Sequence, residues 1–151
     1  MTKMTDVSAR IVLCLAFWSA ALPAYSEEPA LVTAWSAPDL SWGPCPEFFP
    51  AGCEIAVLHG DPGQPNADIF FKVPGDYTIP WHTHTSAERM VLVSGTLRVT
   101  YTGQDPAVVN TGSYAYGPGE RPHEEYCLPG PECVLFIAFE QPVDAFPFEQ
   151  P

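Results

Sequence analysis

From Ile55 onward the chain is a succession of short apolar or alternating runs, each stopped by a turn signal: IAVLH before GDPGQPN, DIFFKV before PGDY, ERMVLV before SG, TLRVTY before TGQDP, AVV before NTG, SYAYG before PGERP, HEEYC before LPGPE, and finally CVLFIAF. No window repeats its apolar residues at helical spacing over three turns. The 18 prolines in 151 residues argue the same way, because proline removes a backbone donor and breaks a helix interior. Short strands at near-regular intervals specify an all-β antiparallel sandwich or barrel. The length is that of one domain, and no internal repeat is evident beyond the cadence itself.

The first 54 residues read differently. Lys3 and Arg10 precede the apolar run IVLCLAFWSAAL, and AYS at 24–26 offers small residues before Glu27, the pattern of a secretory signal peptide over residues 1–26. The run falls short of the ~20 residues a membrane span requires. The expectation is therefore a periplasmic or secreted protein with no stable membrane insertion after cleavage. Residues 27–54, including APDLSWGPCPEFFPAGC, are rich in proline and aromatics and read as an irregular arm that packs on a domain formed by residues 55–151. Such an arm, or an edge strand, could join two copies as a homodimer.

Without its leader the chain keeps four basic and 17 acidic residues, a formal charge of −13. That surface repels phosphate backbones and anionic lipid heads, which excludes nucleic acid as a partner. Four cysteines remain, Cys45, Cys53, Cys127 and Cys133, an even number that in an oxidising compartment indicates disulfides. Of the three pairings open on paper, CLPGPEC favours Cys127 with Cys133, since its proline and glycine turn the chain back on itself. PEFFPAG favours Cys45 with Cys53 by the same logic. The spacings are too wide for a four-cysteine zinc cluster.

The chemistry concentrates in IPWHTHTSAERMVLVSGTLRV, residues 79–99. If WHTHT is extended, His82 and His84 project to one face. Glu88 then opens the next strand on the face shared with Met90 and Leu92. Two imidazoles and a carboxylate at the end of an apolar interior form a site for a cation. A further ligand must return from another strand, and His123 in YGPGERPHEEYC is placed to do so. His59 heads a turn and reads as solvent-facing or as a residue outside the ligands. Trp81, Met90 and Arg121 are candidates for the surrounding pocket, with Tyr77 and Tyr126 as further shapers. Glu120 and Glu124 are the nearest candidates for a general base, though none stands out.

The series Gly75, six residues, His82, Thr83, His84, three residues, Glu88, six residues, Gly95 resembles the first motif of the cupin superfamily, and Gly112 with Pro118 and His123 resembles the second. The resemblance spans roughly residues 55–140. It implies a jelly-roll β-barrel of cupin type (a double-stranded β-helix), with His82, His84, Glu88 and His123 binding a divalent transition metal. Three departures stand out. Six residues rather than five separate Gly75 from His82, Glu120 occupies the place of a glycine, and Cys127 that of an asparagine.

Three imidazoles and a carboxylate leave open positions on an octahedral Fe, Mn, Ni or Co ion and can also hold Zn. The reading that follows is a metal-dependent cupin acting on a small-molecule ligand, a dioxygenase-like oxidoreductase for a small oxygenated compound. The alternative is a non-catalytic binding or sensing module with a structural metal. A metal-dependent isomerase ranks third, for want of a positioned base in the sequence.

Overall fold

The computed structural model describes residues 28–149. Two units partition the chain, residues 1–32 and residues 33–151. The described part of the first, residues 28–32, carries no strand, and the signal-peptide expectation lies outside the described residues. The second unit holds eleven strands: β1 Gly43–Pro44, β2 Glu54–His59, β3 Ala67–Val73, β4 Tyr77–Thr83, β5 Glu88–Ser94, β6 Thr96–Tyr101, β7 Ala107–Asn110, β8 Tyr114–Gly117, β9 His123–Cys127, β10 Cys133–Phe139 and β11 Phe146–Pro147. Among the described residues there is no helix, and none is long and apolar enough to cross a membrane.

The strands form a six-stranded sheet ordered β1-β2-β3-β10-β5-β8 and a five-stranded sheet ordered β11-β4-β9-β6-β7. Every pairing is antiparallel. The two sheets enclose a jelly-roll interior. Alternation decides which side chains enter it: Met90 and Leu92 from β5, Leu97, Val99 and Tyr101 from β6, and Leu135, Ile137 and Phe139 from β10 are all buried in one cluster. The tight SG turn that carries the chain from β5 in one sheet to β6 in the other relies on Gly95 at φ +82°, where an added Cβ would meet Cys133 Sγ at 2.9 Å.

The proline-rich segment is not wholly irregular. Gly43–Pro44 pairs with β2, and Trp35, Leu40 and Trp42 cover Ala56, Phe70 and Val134 on the outer face of the six-stranded sheet. Lys72 lies 4.0 Å from the Trp42 ring and forms an ion pair with Glu54. Both favoured disulfides are present, Cys45–Cys53 and Cys127–Cys133, with Cα atoms 5.6 and 5.8 Å apart. They point to an oxidising, extracytoplasmic compartment. The second joins β9 to β10 and so staples one sheet to the other.

Candidate metal centre

A β-bulge in β4 puts His82, and His84 just past the strand's end, inside. Along β9, Glu125 faces Ile79 and His123 faces His82, so β4 spends three residues where β9 spends two. The extra residue falls at Pro80–Trp81, where proline has no N–H to give to the ladder. Tyr77 and Ile79 are inward before the bulge, and His82 and His84 after it. Were this same sequence to alternate strictly from Ile79 with no bulge, Trp81 and Thr83 would face inward and both imidazoles outward. The sequence reading assumed an extended WHTHT and did not foresee the bulge.

His82, His84 and His123 converge, with ligand atoms all within 4.8 Å of one another. Each ring's Nδ1 meets a backbone carbonyl: His82 that of Pro80 at 2.8 Å, His123 that of Arg121 at 3.0 Å, and His84 that of Asp144. A carbonyl only accepts, so each Nδ1 carries the proton and each Nε2 presents its lone pair to the common point. Glu88 completes the group. Its Oε1 lies 3.3 Å from His84 Nε2, and its Oε2 lies 3.6 Å from His123 Nε2.

Burial sets the protonation states of the metal-free chain. Desolvation lowers all three histidines, His82 to about 2 and His123 to about 4, with neighbouring imidazoles adding to the fall at His82 and His123. They are therefore neutral and ready to coordinate. The same desolvation raises Glu88 to about 8. A cation at the common point would reverse that penalty, since it gives the carboxylate a charge partner. Tyr101, raised by burial, is the one buried side-chain polar atom among the described residues without a hydrogen-bond partner. Its hydroxyl and Glu88 Oε2 both crowd Gly117, where an added Cβ would meet them at 2.7 and 3.1 Å. Convergent neutral nitrogens, a carboxylate and an orphaned hydroxyl beside them are a donor set that fits a divalent transition ion.

The cluster opens on a cleft walled by Phe49, Ile69, Phe71, Leu135 and Ile137 among others. Of the pocket residues expected from the sequence, none is in its wall. Met90 is buried in the core, Trp81 takes the opposite side of β4 where its carbonyl accepts from Phe148 N–H, and Arg121 donates to the Thr102 carbonyl. Tyr77 reaches back to the Pro50 carbonyl, and Tyr126 bonds Asp76 on the outer face. His59 ends β2, exposed and outside the cluster.

Three features were missed. Glu125 is buried and lines the cleft, raised by desolvation to about 8, whereas Glu124 faces the other way and Glu120 sits exposed on a turn. Alternation in HEEYC carried the signal, because His123, Glu125 and Cys127 share a face. Phe49 comes from the disulfide-closed loop of the arm and sets its ring edge-on to His82, centroids 5.4 Å apart. The segment 143–145 closes the other side and supplies the Asp144 carbonyl to His84. Nothing local in the sequence marks either contact.

This fold defines a small cupin, with three histidines grouped so that they could hold a metal ion. The chain belongs to the ChrR cupin-like domain family, whose profile matches residues 33–143. No curated protein matches it by sequence. Among solved structures it is similar to one of the DMSP lyases RdDddP and RnDddQII (15% identity, TM-score 0.63, covering 73% of this chain and 63% of that one), so the chain spans less than two thirds of that relative. It is likewise similar to the DMSP lyase DddQ from Ruegeria pomeroyi DSS-3 (16%, 0.62, 85% and 84%). A third likeness is to Bacillus subtilis oxalate decarboxylase, described with Mn(II) centres (16%, 0.56, 66% and 29%). At these identities the likeness is one of fold.

Proposed function

We propose that the chain is an exported, metal-dependent cupin enzyme, a dioxygenase-like oxidoreductase acting on a small oxygenated molecule. His82, His84, His123 and Glu88 would hold one divalent transition ion, which would supply Lewis-acid chemistry toward an oxygen donor. The observation that carries this reading is the set of three Nε2 lone pairs aimed at one point by three backbone carbonyls, with Glu88 against two of them. The apolar wall would exclude water from a bound molecule, and the Tyr101 hydroxyl, beside Gly117 and Glu88 Oε2, would be free to bond it. Elemental analysis of protein taken from its own exported compartment, before any chelator or nickel column, is expected to give one Fe, Mn, Ni, Co or Zn per chain. His82→Ala and Glu88→Gln should lower metal content and thermal stability together. Unchanged content in both would remove the ligand assignment. Absence of oxygen uptake by loaded protein with small diketones, catechols and flavonols would remove the oxidoreductase part.

Glu125 favours a second reading, proton transfer at the carbon next to a metal-bound carbonyl or carboxylate, as in a lyase or isomerase. A carboxyl inside the cleft is the base that the sequence did not reveal. Exchange of a 2-oxo acid's C3 hydrogens with deuterated water, without oxygen uptake and lost in Glu125→Gln, would select it. A binding module would instead show ligand-induced stabilisation with no product by mass spectrometry.

A further inference from the structure

The cleft's charges narrow what it accepts. Among the described residues its ionisable lining consists of His82, His84, Glu88, Glu125 and Asp144, with no lysine or arginine. Three imidazoles are neutral in the tautomers fixed by the Pro80, Asp144 and Arg121 carbonyls. A divalent ion with the Glu88 carboxylate then leaves at most one net positive charge. Glu125 and Asp144 can add only negative charge. Beyond the ion the wall is hydrocarbon: Phe49, Ile69, Phe71, Leu135 and Ile137.

We propose that the site takes a short-chain monocarboxylate or 2-oxo monocarboxylate, its carboxylate toward the ion and its alkyl tail against Phe49 and Phe71, and rejects dicarboxylates and polyhydroxy acids. The inference rests on the metal-centre reading. One anionic group neutralises the buried centre. A second would lie unpaired beside Glu125 and Asp144, and hydroxyls along the tail would face Phe49, Ile69, Phe71, Leu135 and Ile137, which cannot bond them. Phe49 sets the length limit. The Cys45–Cys53 bridge holds its loop, and its ring packs edge-on against Phe71 with centroids 6.2 Å apart.

The test is calorimetric binding to the full exported chain, its metal content measured on the same sample, with acetate, propionate, butyrate and hexanoate against succinate and gluconate. Affinity should rise about 4-fold per added methylene until the cleft is full. Succinate should bind roughly 100-fold more weakly than butyrate, its match in carbon number. Phe49→Ala should flatten the chain-length dependence and Phe49→Leu should keep part of it, both with melting temperature recorded. A metal-loaded sample that binds succinate as well as butyrate, or acetate as well as hexanoate, overturns this inference alone. A sample without metal overturns the centre and the inference together.

Discussion

The two ends of the interior are built from the same strands on opposite principles. At one end Tyr77, Leu97, Val109 and the Cys127–Cys133 bridge are buried among hydrocarbon, with Tyr77 and Leu97 both in register with Cys127. At the other end, four residues along β9 and six along β10, the same strands deliver His123 to the cluster and Phe139 to a contact with His84. The closed end gains stability from area removed from water. The open end buries three imidazoles and two carboxyls, each of which would be better hydrated. Stability made at one end supports a strained electrostatic arrangement at the other, and a bound cation converts that arrangement into a stabilising one.

The largest effect should therefore come from the closed end. Leu97→Ala removes a side chain that is 2% exposed and should lower unfolding free energy by about 2–5 kcal/mol, read by urea denaturation. It should do so equally in metal-loaded and metal-stripped protein. A loss confined to one of the two would show that the ends are not independent.

Next comes the pH response of the stripped protein. Glu88 and Glu125 have folded values of about 8 against an ordinary 4.5, so between those pH values the fold keeps protons that the unfolded chain has released. Stability falls as pH rises through that window. The histidines act with the opposite sign below 6.5, where the unfolded chain takes up protons that the buried rings refuse. From pH 6.5 to 8 only the carboxyls act, and the stripped protein should lose about 2–4 kcal/mol. The Glu88→Gln/Glu125→Gln double variant should show a flat profile over that range, and metal-loaded protein, with Glu88 paired to the ion, should keep only the smaller slope due to Glu125. A flat profile in the stripped wild type would mean that the open end is hydrated.

What could be read from the sequence divides along the same line. The strand cadence, the inward parity of Met90, Leu92, Leu97 and Val99, and both disulfide pairings depend on alternation and turn chemistry within a few residues, and all are visible in the chain. The i, i+2 spacing of His82 and His84 put them on one face, but the bulge that turns that face inward was not legible. Illegible were the contacts made by segments remote in sequence: Phe49 on His82, the Asp144 carbonyl on His84, and Gly117 packed under Tyr101 and Glu88. Glu125 was legible by parity and was passed over, because in so acidic a chain a carboxylate is ordinarily on the surface. Arg121, read as a candidate for the pocket, serves a loop instead.

Ser86 shows how the open end is held without hydrocarbon. Its hydroxyl, in the buried link between His84 and Glu88, accepts from the N–H groups of Glu140 and Gln141 at 2.9 and 3.0 Å and donates to the Ala87 carbonyl. Ser86→Ala leaves two donors unsatisfied and should lower stability by about 2 kcal/mol, with a loss of metal affinity that Leu97→Ala would not produce. Equal metal affinity in the two variants would assign Ser86 to the general core.

The smallest effect tests a departure from the cupin pattern. Glu120 stands where that pattern has glycine, yet its φ is +60°, the left-handed conformation glycine adopts freely. The turn geometry has been kept although the residue has changed. The Glu120 N–H donates to the His84 carbonyl at 2.7 Å, which ties the loop before His123 to the strand end that carries His84. A side chain in this conformation costs about 1 kcal/mol, partly offset because glycine loses more freedom on folding. Glu120→Gly should therefore stabilise the fold by less than about 1 kcal/mol, seen as a small rise in denaturation midpoint with metal affinity unchanged. Destabilisation would mean that the carboxylate makes a contact worth more than the strain, and that this loop, unlike the rest of the open end, is held by its side chain rather than its backbone.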